Sequence, residues 1–236
     1  MILTYSGRSR PSAQAICDES EGEIELNRGS EGDVNWGRNV ANTELNPDIS
    51  NSTNKRVMRE LFMEHDVPMP ELYDLHEVRV GIDLGQKFVG RPDRHSKGRG
   101  FWLIDSHRAL ERALRGTRRK RAATHFMDFV EAEREYRVHI FKGKSIRISQ
   151  KEFYRDENGS KQYRTIKPTG ELRNIRNAAK QAIGAVGLDF GAVDVLANGS
   201  DNEQVWVLEV NAAPGLGGTM PELYANTFLR WRRGEW

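Results

Sequence analysis

Apolar and polar residues alternate most clearly in two segments of the chain, residues 191–197 (GAVDVLA) and 205–211 (VWVLEVN). Alternation with a period of two predicts β-strands, and the NGSD sequence between them is typical of a turn, so we expect an antiparallel hairpin. Asp194 lies near the middle of the first strand, and Glu209 and Asn211 lie two residues apart on the second. Because side chains at i and i+2 share a face, the hairpin should bring these three polar groups together.

The three polar groups of this hairpin all offer oxygen atoms. Carboxylate and amide oxygens on otherwise apolar strands suit Mg²⁺, which takes one or two carboxylates and completes its shell with phosphate oxygens and water. The sequence therefore predicts a magnesium site formed by Asp194, Glu209 and Asn211. The alternative is a pair of strands whose polar face meets solvent, although carboxylates and asparagine are poor strand formers.

Hydrophobic periodicity predicts further elements along the chain. Strands are expected at residues 2–5, 87–90, 101–104, 125–130, 135–141 and 145–153, and helices at residues 11–17, 55–65, 106–114, 172–186 and 220–232. Turns are expected at residues 142–144 and 156–160. Strands mixed with helices, several of them in hairpins, indicate an α+β fold rather than a doubly wound parallel sheet.

The chain is expected to divide into three units, residues 1–50, 51–125 and 126–236. After its first helix the N-terminal unit is rich in glycine, asparagine and serine, so we expect it to be loop-rich and not to fold alone. The helix at residues 55–65 opens the second unit. Its predicted cap is Ser52 or Thr53, and its predicted buried face carries Val57, Leu61 and Phe62.

Composition excludes several classes of protein. The net charge is +2 and no run of about 18 apolar residues occurs, so no transmembrane span is expected. Cys17 is the sole cysteine, which excludes an internal disulfide and a cysteine-rich zinc site. The first residues lack the pattern of a secretory signal, and this absence, together with the lone cysteine, favours a cytoplasmic location.

Basic residues concentrate in one segment between Arg112 and Arg121, which begins on the helix expected at residues 106–114. This basic cluster is either a solvated helix end, favoured by the helix dipole, or a contact surface for nucleic acid, an acidic protein or a polyphosphate. A nucleic-acid-binding module is disfavoured, because the cluster is local, the overall charge is nearly balanced and no pattern of stacking aromatic residues accompanies it.

A glycine-bearing basic loop, residues 90–100 (GRPDRHSKGRG), joins two of the expected strands. Glycine lets backbone amides approach an anion, and the loop adds positive charge through Arg91, Arg94, Lys97 and Arg99. The G-x-x-x-x-G-K-[ST] pattern is absent, so the loop is not a P-loop. A flexible surface hairpin is the alternative, but a polyphosphate with Mg²⁺ requires cationic and carboxylate partners together.

The order of these motifs resembles the ATP-grasp superfamily, especially its small carboxylate–amine ligases such as ribosomal-protein S6 modification enzymes and phage-encoded relatives. The resemblance covers residues 51–216 and is carried by NSTNKRVMRELFMEHDVPMPE, FVGRPDRHSKGRGF, FMDFVEAEREYRVHIF and GLDFGAVDVLA…VWVLEVNAAPGL. It implies two α+β subdomains that hold ATP between antiparallel sheets, with a short N-terminal unit on the substrate side.

The resemblance also implies roles in nucleotide binding for particular residues. Lys55 and Arg91 would reach the ATP phosphates, with Arg91 standing where the family typically has a lysine. Gly98 and Gly100 would form a flexible flap over these phosphates. Asp128, Phe129 and Val130 would form the hinge that receives adenine. Glu135 would be the carboxylate that binds the ribose.

For the reaction, the resemblance implies that Arg137 stabilises the transferred phosphoryl group. Glu209 would bridge two Mg²⁺ ions, held together with Asp194 and Asn211, and Mn²⁺ is an alternative ion. The implied activity is ATP-dependent ligation of a carboxylate to an amine through an acyl phosphate, with release of ADP and phosphate. The substrates would be small molecules, peptides or proteins, and no membrane would take part in the reaction. The protein would be either a monomer or a homodimer. A phage origin would place it in the host cytoplasm.

Several alternatives stay open beside the ligase hypothesis. The same scaffold would also serve a phosphotransferase, or a catalytically idle nucleotide-binding protein. Trp36, in the first unit, either lines the acceptor pocket or packs in a core. The first unit is short, so substrate recognition is either reduced or supplied by a partner. The basic residues that follow the hinge in the family have three candidates here, Arg147, Lys151 and Arg164.

Overall fold

A computed structural model of the protein describes residues 1–93, 100–155 and 161–236. Its strands are β1 (Ile2–Tyr5), β2 (Glu25–Asn27), β3 (Val34–Trp36), β4 (Leu72–Tyr73), β5 (Phe88–Arg91), β6 (Trp102–Ile104), β7 (His125–Asp128), β8 (Arg134–Phe141), β9 (Lys144–Arg155), β10 (Lys161–Ile166), β11 (Phe190–Asn198) and β12 (Gln204–Asn211). Its helices are α1 (Arg10–Asp18), α2 (Ser50–Thr53), α3 (Lys55–Glu64), α4 (Leu75–Asp83), α5 (His107–Arg115), α6 (Arg173–Ala185) and α7 (Met220–Arg232).

The strands form three sheets, and two of them are antiparallel. The large sheet has the order β10-β9-β8-β11-β12, and the small sheet has the order β4-β7-β5-β6. The predicted α+β class with antiparallel sheets is confirmed. The N-terminal sheet, β2-β1-β3, is parallel, and its short strands were mostly assigned to loop in the sequence analysis. The turn expected at residues 142–144 joins β8 to β9, and the turn expected at residues 156–160 lies outside the described residues.

One face of the large sheet is apolar and packs against α6. Val138 on β8, Val193 and Val195 on β11 and Val207 on β12 are fully buried there with the apolar side of the helix. Helix α3 joins the same core through its own buried side chains, among them Phe62. Because neighbouring residues of a strand face opposite ways, the polar residues of these strands lie on the other face of the sheet.

The hairpin of β11 and β12 is the predicted one, with one irregularity. Asp194 pairs with Glu209, but the next residue, Val195, pairs with Val207, so Leu208 is an extra residue in β12. Such a β-bulge changes which face the following residues occupy. Val207 therefore lies in the core opposite Val195, while Glu209 lies beside Asp194 on the polar face.

The N-terminal unit shares a core with the C-terminal helix. The Trp36 ring is fully buried, stacks on Phe190 at 5.5 Å between ring centroids, and meets the edge of Tyr224 at 5.1 Å. The Asn46 side chain also hydrogen-bonds the backbone of β11, donating to the Phe190 carbonyl at 2.9 Å. Of the two roles left open for Trp36, packing in a core is therefore the one that the structure shows.

Helix α3 differs from its prediction at its start and on its buried face. Its cap is Asn54, whose side chain accepts a hydrogen bond from the Arg56 N–H at 3.2 Å, so the assignment to Ser52 or Thr53 is wrong. Those two hydroxyls instead donate to backbone carbonyls three residues earlier. The buried residues are Lys55, Met58, Arg59 and Phe62, whereas Val57 and Leu61 are half-buried.

Among the described residues, no helix is both long enough and apolar enough to cross a membrane.

Candidate functional site

Three adjacent strands of the large sheet carry a row of charged side chains on the polar face. Arg137 on β8 pairs in register with Asp194 on β11, which pairs in turn with Glu209 on β12. Asn211 follows Glu209 by two residues and shares its face. The structure thus brings together the three oxygen-bearing residues that the sequence analysis proposed as metal ligands.

The Asp194 carboxylate is buried and paired with cations. Arg137 donates two hydrogen bonds to it, Nε to Oδ1 at 2.8 Å and Nη2 to Oδ2 at 2.9 Å. Lys151 Nζ lies 3.6 Å from Asp194 Oδ1 and also pairs with Glu135 on β8. Lys151, a candidate for a basic residue behind the hinge, therefore joins the proposed ribose carboxylate to the proposed metal ligand.

The Glu209 carboxylate lies between the large sheet and helix α3. Lys55 Nζ, at the start of that helix, is 3.3 Å from Glu209 Oε2. Asn211 Nδ2 donates to Glu209 Oε1 at 3.1 Å. Lys55 and Glu209, which were predicted to serve phosphate and metal binding, are thus ion-paired with each other.

The donor set suits Mg²⁺. No group of three or more histidine, cysteine, aspartate and glutamate side chains with metal-binding geometry occurs in the part of the chain that the structure describes. Asp194, Glu209 and Asn211 instead offer two carboxylates and one amide oxygen. That set is what Mg²⁺ accepts when phosphate oxygens and water supply the rest of its octahedral shell.

A second charged cluster faces Glu209 from α3 and the small sheet, and it is basic. Arg91, the last residue of β5, is largely buried, and burial lowers the pKa of its guanidinium while the charge of Glu209 raises it. The Lys55 backbone N–H donates to the Asp93 carbonyl at 3.1 Å, which ties the start of α3 to the segment after β5. The two residues proposed for the ATP phosphates therefore meet at one place.

Arg59 belongs to this basic cluster, although the sequence analysis did not select it. It lies one helical turn after Lys55 and is only 6% exposed. Burial, followed by the charge of Arg91, lowers its pKa to about 10, and Glu209 acts in the opposite direction. The signal in the sequence was its i,i+4 spacing from Lys55, which places both side chains on one helix face.

Of the predicted flap, Gly98 lies outside the described residues. Gly100 lies two residues before β6 with a φ of +87°, in the left-handed region that glycine adopts without strain. The role of both glycines as a flap over phosphates stays a prediction.

Solved structures share this arrangement of sheets and helices. D-alanine–D-alanine ligase from Bacillus anthracis matches with a TM-score of 0.68 at 14% identity, covering 100% of both chains. The ATP-grasp ligase PsnB, solved with its minimal precursor, Mg and ADP, gives 0.69 at 13% identity over 97% of this chain and 96% of that one. D-cycloserine synthetase DcsG gives 0.66 at 14% identity over 98% and 99%. This chain has the ATP-grasp fold.

The likeness lies in the fold, since no family model matches the sequence and no curated protein matches it. The expectation drawn from the motif order is confirmed at that level. In this ATP-grasp fold, the large sheet carries the Asp194–Glu209 row and the small sheet carries Arg91, so the polar face of one sheet and the end of the other converge on the same charges.

The predicted hinge, Asp128, Phe129 and Val130, begins at the end of β7 and lies between the small sheet and the large one. The Asp128 N–H donates to the Glu71 carbonyl at 3.0 Å, and the Phe129 N–H donates to the Lys87 carbonyl at 3.1 Å. These two donors hold the hinge in place. If the predicted hinge binds adenine through a backbone N–H group, that group would therefore be the N–H of Val130. Asp128 and Phe129 would contact adenine through their carbonyl oxygens and side chains.

The basic cluster between Arg112 and Arg121 is partly packed against the small sheet. Lys120 Nζ lies 3.9 Å from the centroid of the Trp102 ring, and the Trp102 indole N–H donates to the Arg121 carbonyl at 2.9 Å. Burial, followed by the charge of Arg112, lowers the pKa of Lys120. These contacts explain how the segment folds back on β6.

Two histidines near the site, the buried His139 and the largely buried His125, should make the protein less stable in acid. Burial, followed by the charge of Arg59, lowers the pKa of His125 to about 4. Burial, followed by the charge of Arg137, lowers the pKa of His139 to about 3. In the unfolded chain both imidazole rings take up protons as the pH falls below the ordinary histidine pKa of 6.5, whereas in the folded chain they do not. The free energy of unfolding therefore decreases as the pH falls from 6.5 towards 4.

At pH 5 each of these histidines should lower the free energy of unfolding by about 2 kcal/mol relative to pH 7. Urea unfolding at the two pH values measures this difference. Replacing His139 with Gln, which does not titrate, should remove about half of it. The same change at the exposed His76 should leave it unaltered, and equal stability at both pH values would show that the two buried rings are not held neutral.

Proposed function

We propose that the chain is an ATP-dependent ligase that joins a carboxylate to an amine through an acyl phosphate and releases ADP and phosphate. The observation that carries this proposal is that a cluster of carboxylates lies against a cluster of cations. The Asp194–Glu209 carboxylates of the large sheet face Lys55, Arg59 and Arg91 of α3 and the small sheet. Adjacent carboxylates and cations are what the Mg²⁺ complex of a polyphosphate requires.

In this proposal the nucleotide lies between the two antiparallel sheets. Lys55 and Arg91 bind its phosphates, and the flap that includes Gly98 and Gly100 covers them. The hinge at Asp128, Phe129 and Val130 receives adenine, and Glu135 binds the ribose. Support comes from the position of Glu135 on the polar face of β8, two residues before Arg137, which orders ribose and phosphate sites along one strand.

The reaction requires two anions, a carboxylate and a terminal phosphate, to approach each other. Mg²⁺ bound by Asp194, Glu209 and Asn211 would neutralise phosphate charge and make the terminal phosphorus more electrophilic. Arg137 would release Asp194 to the metal and turn its guanidinium to the transferred phosphoryl group, where a planar fork matches the phosphoryl oxygens. Closing the flap would keep water from hydrolysing the acyl phosphate before the amine attacks.

The acceptor would bind beside the N-terminal sheet. The loop after Asn211 lies against this unit, since the Leu216 N–H donates to Ser12 Oγ at 3.3 Å. A Cβ added at Gly37, directly after β3, would lie 3.0 Å from Ala213 Cβ in the same loop. The carboxyl ends of parallel strands, where ligands of open sheets bind, thus adjoin the end of the metal-binding strand. Because PsnB was solved with a precursor peptide, we propose a peptide or protein as one substrate.

The test is Mg²⁺-dependent release of ADP, screened against amino acids and peptides, with mass spectrometry of each product and of the protein itself. A new amide with loss of water supports the ligase. A stable phosphorylated product without an amide would identify a phosphotransferase instead. Nucleotide binding without ADP release under any acceptor would identify an idle binding protein.

A further inference from the structure

The face of α3 that is turned towards the site carries charge where a buried helix face is usually apolar. Lys55 and Arg59, one turn apart, are both 6% exposed, and the apolar residues Met58 and Phe62 beside them are fully buried. Arginine is almost never buried to this degree unless it is paired. The burial of Arg59 therefore calls for a partner.

No such partner is found among the described residues. The Nε and Nη1 groups of Arg59 are buried and make no hydrogen bond within residues 1–93, 100–155 and 161–236. Arg91 Nη1 is in the same situation. A buried donor without an acceptor costs about 1–3 kcal/mol, and more when it is charged. Within the part of the chain that the structure describes, two guanidinium groups at one place therefore have N–H groups that an added acceptor would satisfy.

The surrounding charges show which kind of ligand would relieve this. Burial lowers the pKa of Arg59, the charge of Arg91 lowers it further and the charge of Glu209 raises it, so both charges act on the Arg59 guanidinium. Glu209 is already paired with Lys55 at 3.3 Å. The nearby Asp93 carboxylate accepts a hydrogen bond from Thr124 Oγ1 at 2.7 Å. Positive charge is therefore in excess, and an anion with several acceptor oxygens fits the unpaired N–H groups.

We propose that Arg59 binds the phosphate chain of the nucleotide, together with Lys55 and Arg91, and that its buried charge destabilises the ligand-free protein. The inference rests on the proposed function for the identity of the ligand. A bidentate guanidinium would bind the β- and γ-phosphates and would contribute nothing to AMP. Arg59 would thus make the site selective for polyphosphates.

The variant that tests this is Arg59→Leu, with Arg56→Leu as the matched control. Arg56 lies on the same helix, is exposed and pairs with Glu60 at 2.9 Å, away from the site. Calorimetric titration with AMPPNP and Mg²⁺ should show at least about tenfold weaker binding for Arg59→Leu, with AMP affinity within about twofold of the original protein. Arg56→Leu should change neither.

The melting temperature of the ligand-free protein provides the second readout. Removing an unpaired buried charge should keep or raise the melting temperature of Arg59→Leu, whereas loss of a structural contact would lower it. A lower melting temperature with an unchanged ratio of AMPPNP to AMP affinity would overturn the proposal, and so would undiminished AMPPNP binding. If the leucine variant does not fold, Arg59→Lys decides, and it should bind AMPPNP several-fold more weakly because it loses the bidentate geometry.

Inorganic tripolyphosphate separates this inference from the proposed function. It needs no adenine site, so it should bind the original protein and lose affinity in Arg59→Leu. Failure of the original protein to bind AMPPNP, with tripolyphosphate still bound through Arg59, would refute the nucleotide assignment alone. Equal tripolyphosphate binding by both proteins would refute the role of Arg59 alone.

Discussion

Replacing Glu209 with Gln should lower ATP-dependent ligation by about 10³-fold or more, because the proposed bridging carboxylate holds both metal ions against the transferred phosphate. The side chain keeps its shape and its place beside Asn211 and Lys55, so the fold should persist. The measurement is kcat for ADP release at saturating Mg²⁺ and with the true acceptor present. Near-normal ATP consumption by this variant would refute the assignment of the metal site.

The matched control for that experiment is Glu203→Gln. Glu203 is an exposed carboxylate in the turn of the same hairpin, directly before β12. Its neutralisation changes the charge of the hairpin by the same amount, so kcat should stay within about twofold if only the local site matters. Equal losses in both variants would point to a general effect of charge on the hairpin.

Replacing Asp194 with Asn should have the second largest effect, because it acts on stability and on metal use together. Arg137 pairs with both carboxylate oxygens, and Lys151 lies 3.6 Å from one of them, in a place where Asp194 is only 5% exposed. Losing the charge of one partner of a buried ion pair typically costs about 3–5 kcal/mol. We expect that loss in urea unfolding, and a higher Mg²⁺ concentration for half-maximal residual turnover.

Two further variants separate these effects. The exposed pair of Glu152 with Arg164 gives the control, since Glu152→Gln should cost under about 1 kcal/mol. Adding Arg137→Gln to Asp194→Asn should recover part of the stability, because it removes the stranded cation, while turnover should stay low. Full recovery of turnover in that double variant would contradict the catalytic roles of both residues.

The sequence was sufficient for the parts of the fold in which periodicity is strong. β11 and β12 are nine and eight residues long and set Asp194 and Glu209 among apolar residues, so the two strands and their pairing were predictable, whereas the bulge that puts Glu209 beside Asp194 was not. Helix α7 was predicted at its observed bounds, Met220–Arg232, because a proline near its start and apolar residues at helical spacing mark it.

The elements that the sequence analysis missed are short or have ambiguous signals. Helix α4, Leu75–Asp83, starts with a capping box formed by Asp74 and Glu77, but it follows a proline-containing segment and contains Gly81. That glycine is required by packing, since an added Cβ would lie 2.3 Å from the Phe88 ring. Strands β2 and β3 have three residues each, too few to show a period, and both pair with β1, which is distant from them in sequence.

Arg59, which the sequence analysis did not select, was missed for a different reason. A charged residue on a helix is ordinarily solvated, so the pattern placed the buried face on Val57, Leu61 and Phe62, of which Phe62 is confirmed, and did not select Arg59. The helix is instead oriented by Met58 and Phe62, which fill the core against the large sheet. That orientation depends on tertiary packing, and it turns the whole Lys55–Arg59 side towards Glu209.

The extra residue in β12 makes the chemistry of the hairpin depend on strand register as well as on residue type. If β12 continued from Val207 without a bulge, Leu208 would pair with Asp194, and Glu209 would pair with Val193 and turn its carboxylate to the apolar core. The bulge at Leu208 is therefore what keeps the two carboxylates side by side. Deleting Leu208 should accordingly place Glu209 directly after Val207 and still opposite Asp194, so the shortened hairpin should keep both carboxylates on one face.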